Sequence, residues 1–133
     1  MNLTKLDKCR ELRLLVKSLD DKLEVLHAAA QRTTSRITKS PKSKDWHDPL
    51  PSYVDQTKAL GEEYAYAALE LLHMVLEVSK YLTRLPPTHE KVMRTRYFDG
   101  ARTWADVSRI VNLSEDRCKA INSEARKKLE EME

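Results

Sequence analysis

Four histidines and two cysteines are the first places to look for chemistry in this 133-residue chain. His27 and His73 fall inside helical patterns, His47 lies in a proline-broken stretch, and His89 opens a C-terminal segment. No pair of His or Cys has the spacing of a zinc site, and there is no CxxC. The glycines, Gly61 and Gly100, are too few and too isolated to form a phosphate-cradling loop. Trp46-His47-Asp48 sets an imidazole beside a carboxylate, but inside a polar stretch that reads as a surface loop. These residues point to a binding protein, not an enzyme, with no metal and no cofactor. What remains is the chemistry of polar helix faces, which depends on the helices that carry them.

Composition favours long helices. The chain is 41% hydrophobic and 34% charged with few aromatics, which argues against a loop-rich or β fold. No apolar run approaches the roughly 18 residues that a membrane span needs, and the N-terminus lacks a signal-peptide core. A cytoplasmic protein with no membrane partner is expected. Cys9 and Cys118 each sit on the apolar side of a helical pattern, so buried thiols are expected and not a disulfide. A net charge of +3 does not by itself identify a nucleic-acid partner.

The stretch from Thr88 to Leu129 holds three short amphipathic segments separated by two turn signals. His89 to Phe98 places Val92, Met93, Arg96 and Tyr97 at helical spacing, with Thr88 as a candidate cap. Asp99-Gly100 stops it, because Gly tolerates the positive φ of a helix end. Thr103 can cap a second segment that carries Trp104, Val107, Ile110 and Val111 on one face. After Asn112-Leu113-Ser114, a third helix begins with Ser114 as cap and with Glu115 and Asp116 in its first turn. Its apolar stripe is Cys118, Ile121, Ala125 and Leu129. Two short helices, a tight turn and a longer polar helix match a helix-turn-helix pattern. Periodicity alone leaves open a DNA reader or a small three-helix packing unit.

Before this stretch lie two long helical patterns. From Asn2 to about Arg36, Cys9, Leu12, Val16, Leu19, Leu23, Leu26 and Ala30 form a heptad seam that needs a partner helix. From about Tyr53 to Thr83, a second seam runs through Leu60, Tyr64, Ala67, Leu71, Val75, Val78, Leu82 and Leu85. Leu69, Leu72, Met74 and Leu76 fall outside that seam, and Leu72 with Leu76 offer a second contact, which either serves self-association, the favoured use, or packs on the C-terminal unit of the same chain. Residues 31–52 accumulate Ser, Thr, Lys and Arg, and Pro41, Pro49 and Pro51 interrupt them, so a basic loop is expected. That loop reads either as an arm touching DNA phosphates or as a solvated linker. Leu85-Pro86-Pro87 marks a boundary. The expected fold is all-α: a long antiparallel, coiled-coil-like hairpin over 1–85, which oligomerises the chain, then a helix-turn-helix unit over 86–133.

The segment from Glu90 to Leu129 resembles region 4 of the bacterial sigma-70 family. Val92, Arg96, Tyr97, Phe98, Gly100, Trp104, Val107, Ile110, Leu113, Ser114, Lys119 and the tail Ala125-Arg126-Lys127-Lys128-Leu129 carry the resemblance, in order and without a gap. Nearly the full chain resembles small phage-encoded transcription regulators of Gram-positive bacteria, the ArpU- and RinA-like late-gene activators. That resemblance implies a phage or prophage origin, control of late genes and action inside a bacterial host cell. Full sigma factors carry a further region that binds core polymerase and melts the promoter, and these 133 residues leave no room for it, so a stand-alone sigma activity is not expected.

The resemblance implies that the third helix lies in the major groove. By position, its groove-facing residues are Glu115, Asp116, Arg117, Lys119, Ala120, Asn122 and Ser123. Arg117 or Lys119 suits guanine, Asn122 an adenine edge and Glu115 a cytosine amine. Arg126 and Lys127 suit phosphates, as do Arg102, Thr103 and Arg109 ahead of it. Glu124 departs from the family pattern, which often has a base there. From Glu90 onward ten Lys plus Arg face nine Asp plus Glu, so a single copy should bind DNA weakly. Duplex DNA and a second copy, as a homodimer or higher homo-oligomer, are the expected partners. RNA polymerase or another phage or host regulator is a further one. Two other classes fit the pattern: a small terminase-like packaging protein, and a sigma-like adaptor that contacts polymerase or a repressor.

Overall fold

The computed structural model describes residues 1–39 and 50–132. The described elements are all helical: α1 (Thr4–Lys39), α2 (Leu50–Leu82), α3 (Pro87–Met93), a π-helical turn (Arg94–Phe98), α4 (Trp104–Val111) and α5 (Glu115–Glu131). They belong to two compact units. One comprises Met1–Leu15 with Ala68–Glu133, and the other Val16–Ala67.

The first unit has a closed core. Leu6 and Cys9 of α1, Val78 and Leu82 of α2, Leu85, Met93, Tyr97, and Ala125 and Leu129 of α5 form one buried cluster. Val92, Val107, Val111, Cys118 and Ile121 form another, flanked by Ala101, Trp104 and Leu113. The stripe expected on α5 is buried throughout. Its first half seals α3 and α4, and its second half seals the starts and ends of the long helices. The α1 and α2 segments of this unit run antiparallel, since Lys5 pairs with Glu77 and Lys8 with Glu70. Cys9 and Cys118 are buried free thiols.

The expected boundary at Pro86 falls inside this unit and not between the two units. The reason is packing: residues before Pro86 and after it share one core. Thr88 does not cap α3. Pro86 holds the cap position without a side-chain bond, and Pro87 starts the helix. There the missing proline N–H costs nothing and the fixed φ already suits a helix.

The second unit pairs the rest of α1 with the first part of α2. Val16, Leu19 and Ala67 are buried, and Leu23, Leu26, Leu60 and Tyr64 are half-buried. An open groove of about 440 Å³ lies over Asp21, Lys22, Val25, Leu26, Gln56 and Leu60. The loop expected over 31–52 is shorter than anticipated: α1 extends to Lys39 and α2 begins at Leu50. Ser, Thr and Lys carry only modest helix penalties, so the helix continues until proline approaches. Pro51 sits in the first helical turn of α2, where it is tolerated. The expectations placed on Pro41, Pro49 and Trp46-His47-Asp48 lie outside the described residues.

Candidate nucleic-acid interface

The connection between α4 and α5 is built by local chemistry. Thr103 has extended geometry and its hydroxyl accepts from the Asp106 N–H at 3.1 Å. The Asp106 carboxylate bonds back to Thr103 and pairs with Arg109, and these bonds hold it below its ordinary range. This is a reciprocal capping box. Asn112 ends α4 in the left-handed region at φ 61°, which asparagine tolerates better than most residues. Ser114 then caps α5, accepting from the Arg117 N–H at 3.2 Å. The turn is held closed by the Leu113 N–H on the Ser108 carbonyl at 3.2 Å and by the Ser108 hydroxyl donating to the Leu113 carbonyl.

With its apolar stripe inward, α5 shows solvent Glu115, Asp116, Arg117, Lys119, Ala120, Ser123, Glu124 and Lys127. Among the described residues Arg117, Lys119 and Lys127 have no ion-pair partner. Those charges are available to a ligand. Glu124 is not. His89 of α3 bonds it at 3.0 Å, and this bond, with the nearby Arg117, His89 and Lys128 charges, holds its carboxyl below the usual range.

Two of the expected contact residues turn inward. The Tyr97 hydroxyl donates to Asn122 Oδ1 at 2.8 Å. Arg126 donates to the same hydroxyl at 2.9 Å and to Asp7 Oδ1 at 3.2 Å. A half-buried chain Asp7–Arg126–Tyr97–Asn122 thus ties α1, the π turn and α5 together. Arg126 is a strut of the fold and not an open phosphate contact, and the Asn122 carbonyl is already satisfied. In α4, Thr103 is spent on capping and Arg109 is exposed but paired with Asp106. Ile110, expected on the buried face, is 57% exposed. An eight-residue helix buries only Val107 and Val111 deeply, and Ile110 falls outside that narrow arc.

Arg102 is exposed. Its carbonyl receives Arg10 at 3.2 Å and Arg96 at 3.1 Å. Arg96 also lies over the Trp104 ring, 4.6 Å from its centroid, a cation–π contact that fixes the guanidinium. Sequence reasoning missed Arg10, Arg13 and His89 as members of this surface. Arg10 and Arg13 lie more than 80 positions before the Gly100–Arg102 loop, and no spacing rule links them to it.

No group of His, Cys, Asp or Glu among the described residues could hold a metal ion, and no described helix is long and apolar enough to cross a membrane. Comparison with family models, curated proteins and solved structures gave no match.

Proposed function

We propose that this protein is a sequence-specific DNA-binding transcription regulator of phage type, with α4 and α5 acting as a helix-turn-helix after a helical hairpin. The observation that carries this reading is the polarity of α5. Its inner face is sealed by Cys118, Ile121, Ala125 and Leu129, while Arg117 and Lys119 stand exposed and unpaired beside Ala120 and Ser123. A small residue at Ala120 lets a helix approach base edges closely, and the two cations suit guanine O6 and N7. Lys127 and Arg102 supply phosphate contacts. The chain works by binding and not by catalysis. The resemblance to ArpU- and RinA-like activators gives late-gene control as its task.

A second copy completes the site. Leu69, Leu72 and Leu76 share one face of α2 and are all more than half exposed, at 57%, 52% and 57%. Such a stripe is unusual in an isolated chain and suits a homodimer, which sets two copies of an α5 of balanced charge on one duplex and so doubles the phosphate and base contacts. Sedimentation should find a dimer, and a monomer both with and without DNA would remove this part of the reading.

Acidic residues favour an alternative in which the same helix contacts RNA polymerase or a repressor. Glu115 and Asp116 occupy the first turn of α5. The experiment that separates the two is recovery of bound genomic fragments by the full chain. A short shared motif is expected. Fragments without a common motif would leave the adaptor.

A further inference from the structure

The loop between the π turn and α4 is ringed by four arginines. Arg10 of α1 donates through Nη2 to the Arg102 carbonyl, and Arg96 donates through Nη1 to the carbonyls of Ala101 and Arg102, both at 3.1 Å. The Arg13 stem lies against Gly100 so closely that a Cβ added there would stand 2.8 Å from Arg13 Cγ. Arg102 itself faces solvent. None of these arginines has a carboxylate at ion-pair distance among the described residues. Asp106, the acid in the first turn of α4, is already held by Thr103 and Arg109.

This arrangement is electrostatically unfinished. Backbone carbonyls orient the guanidinium groups but carry no charge to neutralise them. Each guanidinium has five N–H donors, and the two carbonyls engage only a fraction of those on Arg10 and Arg96. The Arg10 Nε is buried from solvent and has no acceptor among the described residues, a state that folded proteins rarely leave uncompensated. Arg10 and Arg96 also oppose one another: desolvation, then the Arg10 charge, lowers the Arg96 pKa. The cluster stands just before the N-terminal end of α4, whose first turn is already capped by Thr103 and Asp106, so the cluster's charge is that of its guanidinium groups. A planar guanidinium fork favours a multi-oxygen anion.

We propose that Arg10, Arg13, Arg96 and Arg102 form a phosphate site through which α1 grips the backbone of duplex DNA, outside the bases that α5 contacts. The inference rests on the DNA reading above and extends it: the start of the first long helix is part of the interface, not only a means of association. Its contacts position the chain and carry no base information.

The test is the salt dependence of duplex binding by the full chain, on a recovered fragment and on a scrambled one. Arg10→Gln with Arg13→Gln should weaken both duplexes alike. It should make the slope of log affinity against log salt shallower by about 0.9 per lost contact, roughly 2 for the pair. Arg10→Lys with Arg13→Lys should restore most of the slope. Arg13→Gln alone covers the case in which loss of Arg10 disturbs folding, because the Arg13 guanidinium makes no hydrogen bond or ion pair among the described residues, and it should shift the slope by about 0.9. An unchanged slope in folded variants would overturn the site while leaving the DNA reading intact. Failure of the unaltered chain to bind any duplex would overturn both.

Discussion

The same two helices behave differently in the two compact units. In the unit formed by Met1–Leu15 and Ala68–Glu133, α1 and α2 are covered by further helices, and Leu6, Cys9, Val78, Leu82, Met93, Ala125 and Leu129 are fully buried. Over Val16–Ala67 the described residues hold only a helix pair. Burial there reaches core level at Val16, Leu19 and Ala67, while Leu23, Leu26 and Leu60 stay half open. Two helices share one seam, and a seam is a stripe and not a volume. A third layer turns it into a core. The proposed function follows this division. A side chain that reads a base must be held within a fraction of an ångström, and only the layered unit fixes α5 that well.

The largest expected contrast is in stability. Leu82→Ala opens a cavity in the closed core and should lower the unfolding free energy by about 2–5 kcal/mol. Leu26→Ala in the open groove should cost roughly 1 kcal/mol or less. Urea titration measures both, and equal losses would mean that the two units are packed alike.

A smaller effect concerns acid. The carboxyls of Glu124 and Asp106 lie below their ordinary values of 4.5 and 3.8 in the folded chain, held by His89 and by Thr103 with Arg109. A lowered folded pKa contributes stability that is present above the ordinary value and is lost as pH falls through the lowered one. The melting temperature should therefore decline as pH drops below about 4. The double substitution Glu124→Gln and Asp106→Asn should flatten that decline, and an equally steep fall in the variant would remove both contacts from the account.

Sequence reasoning reached the local features and stopped at the long-range ones. The caps at Thr103 and Ser114, the stop at Gly100 (φ 69°) and the buried stripe of α5 are written in a few neighbouring residues, and all are present. So are the first turns of the α1 seam, Cys9, Leu12, Val16 and Leu19. The π-helical turn at Arg94–Phe98 had no sequence signal. It brings Tyr97 inward to meet partners 25 and 29 positions later. The inward turn of Arg126 depends on Asp7, 119 positions away. The arginine cluster likewise depends on α1 lying beside Gly100. Such pairings are decided by the packing of whole helices, which periodicity does not specify.

The central claim is that the exposed face of α5 reads bases. Its most direct test is Arg117→Ala with Lys119→Ala, measured as equilibrium binding to a recovered fragment and to a scrambled duplex. Each specific contact is worth about 1–3 kcal/mol, so discrimination should fall by roughly tenfold or more while weak binding to the scrambled duplex persists. Undiminished discrimination by a folded variant would contradict the account.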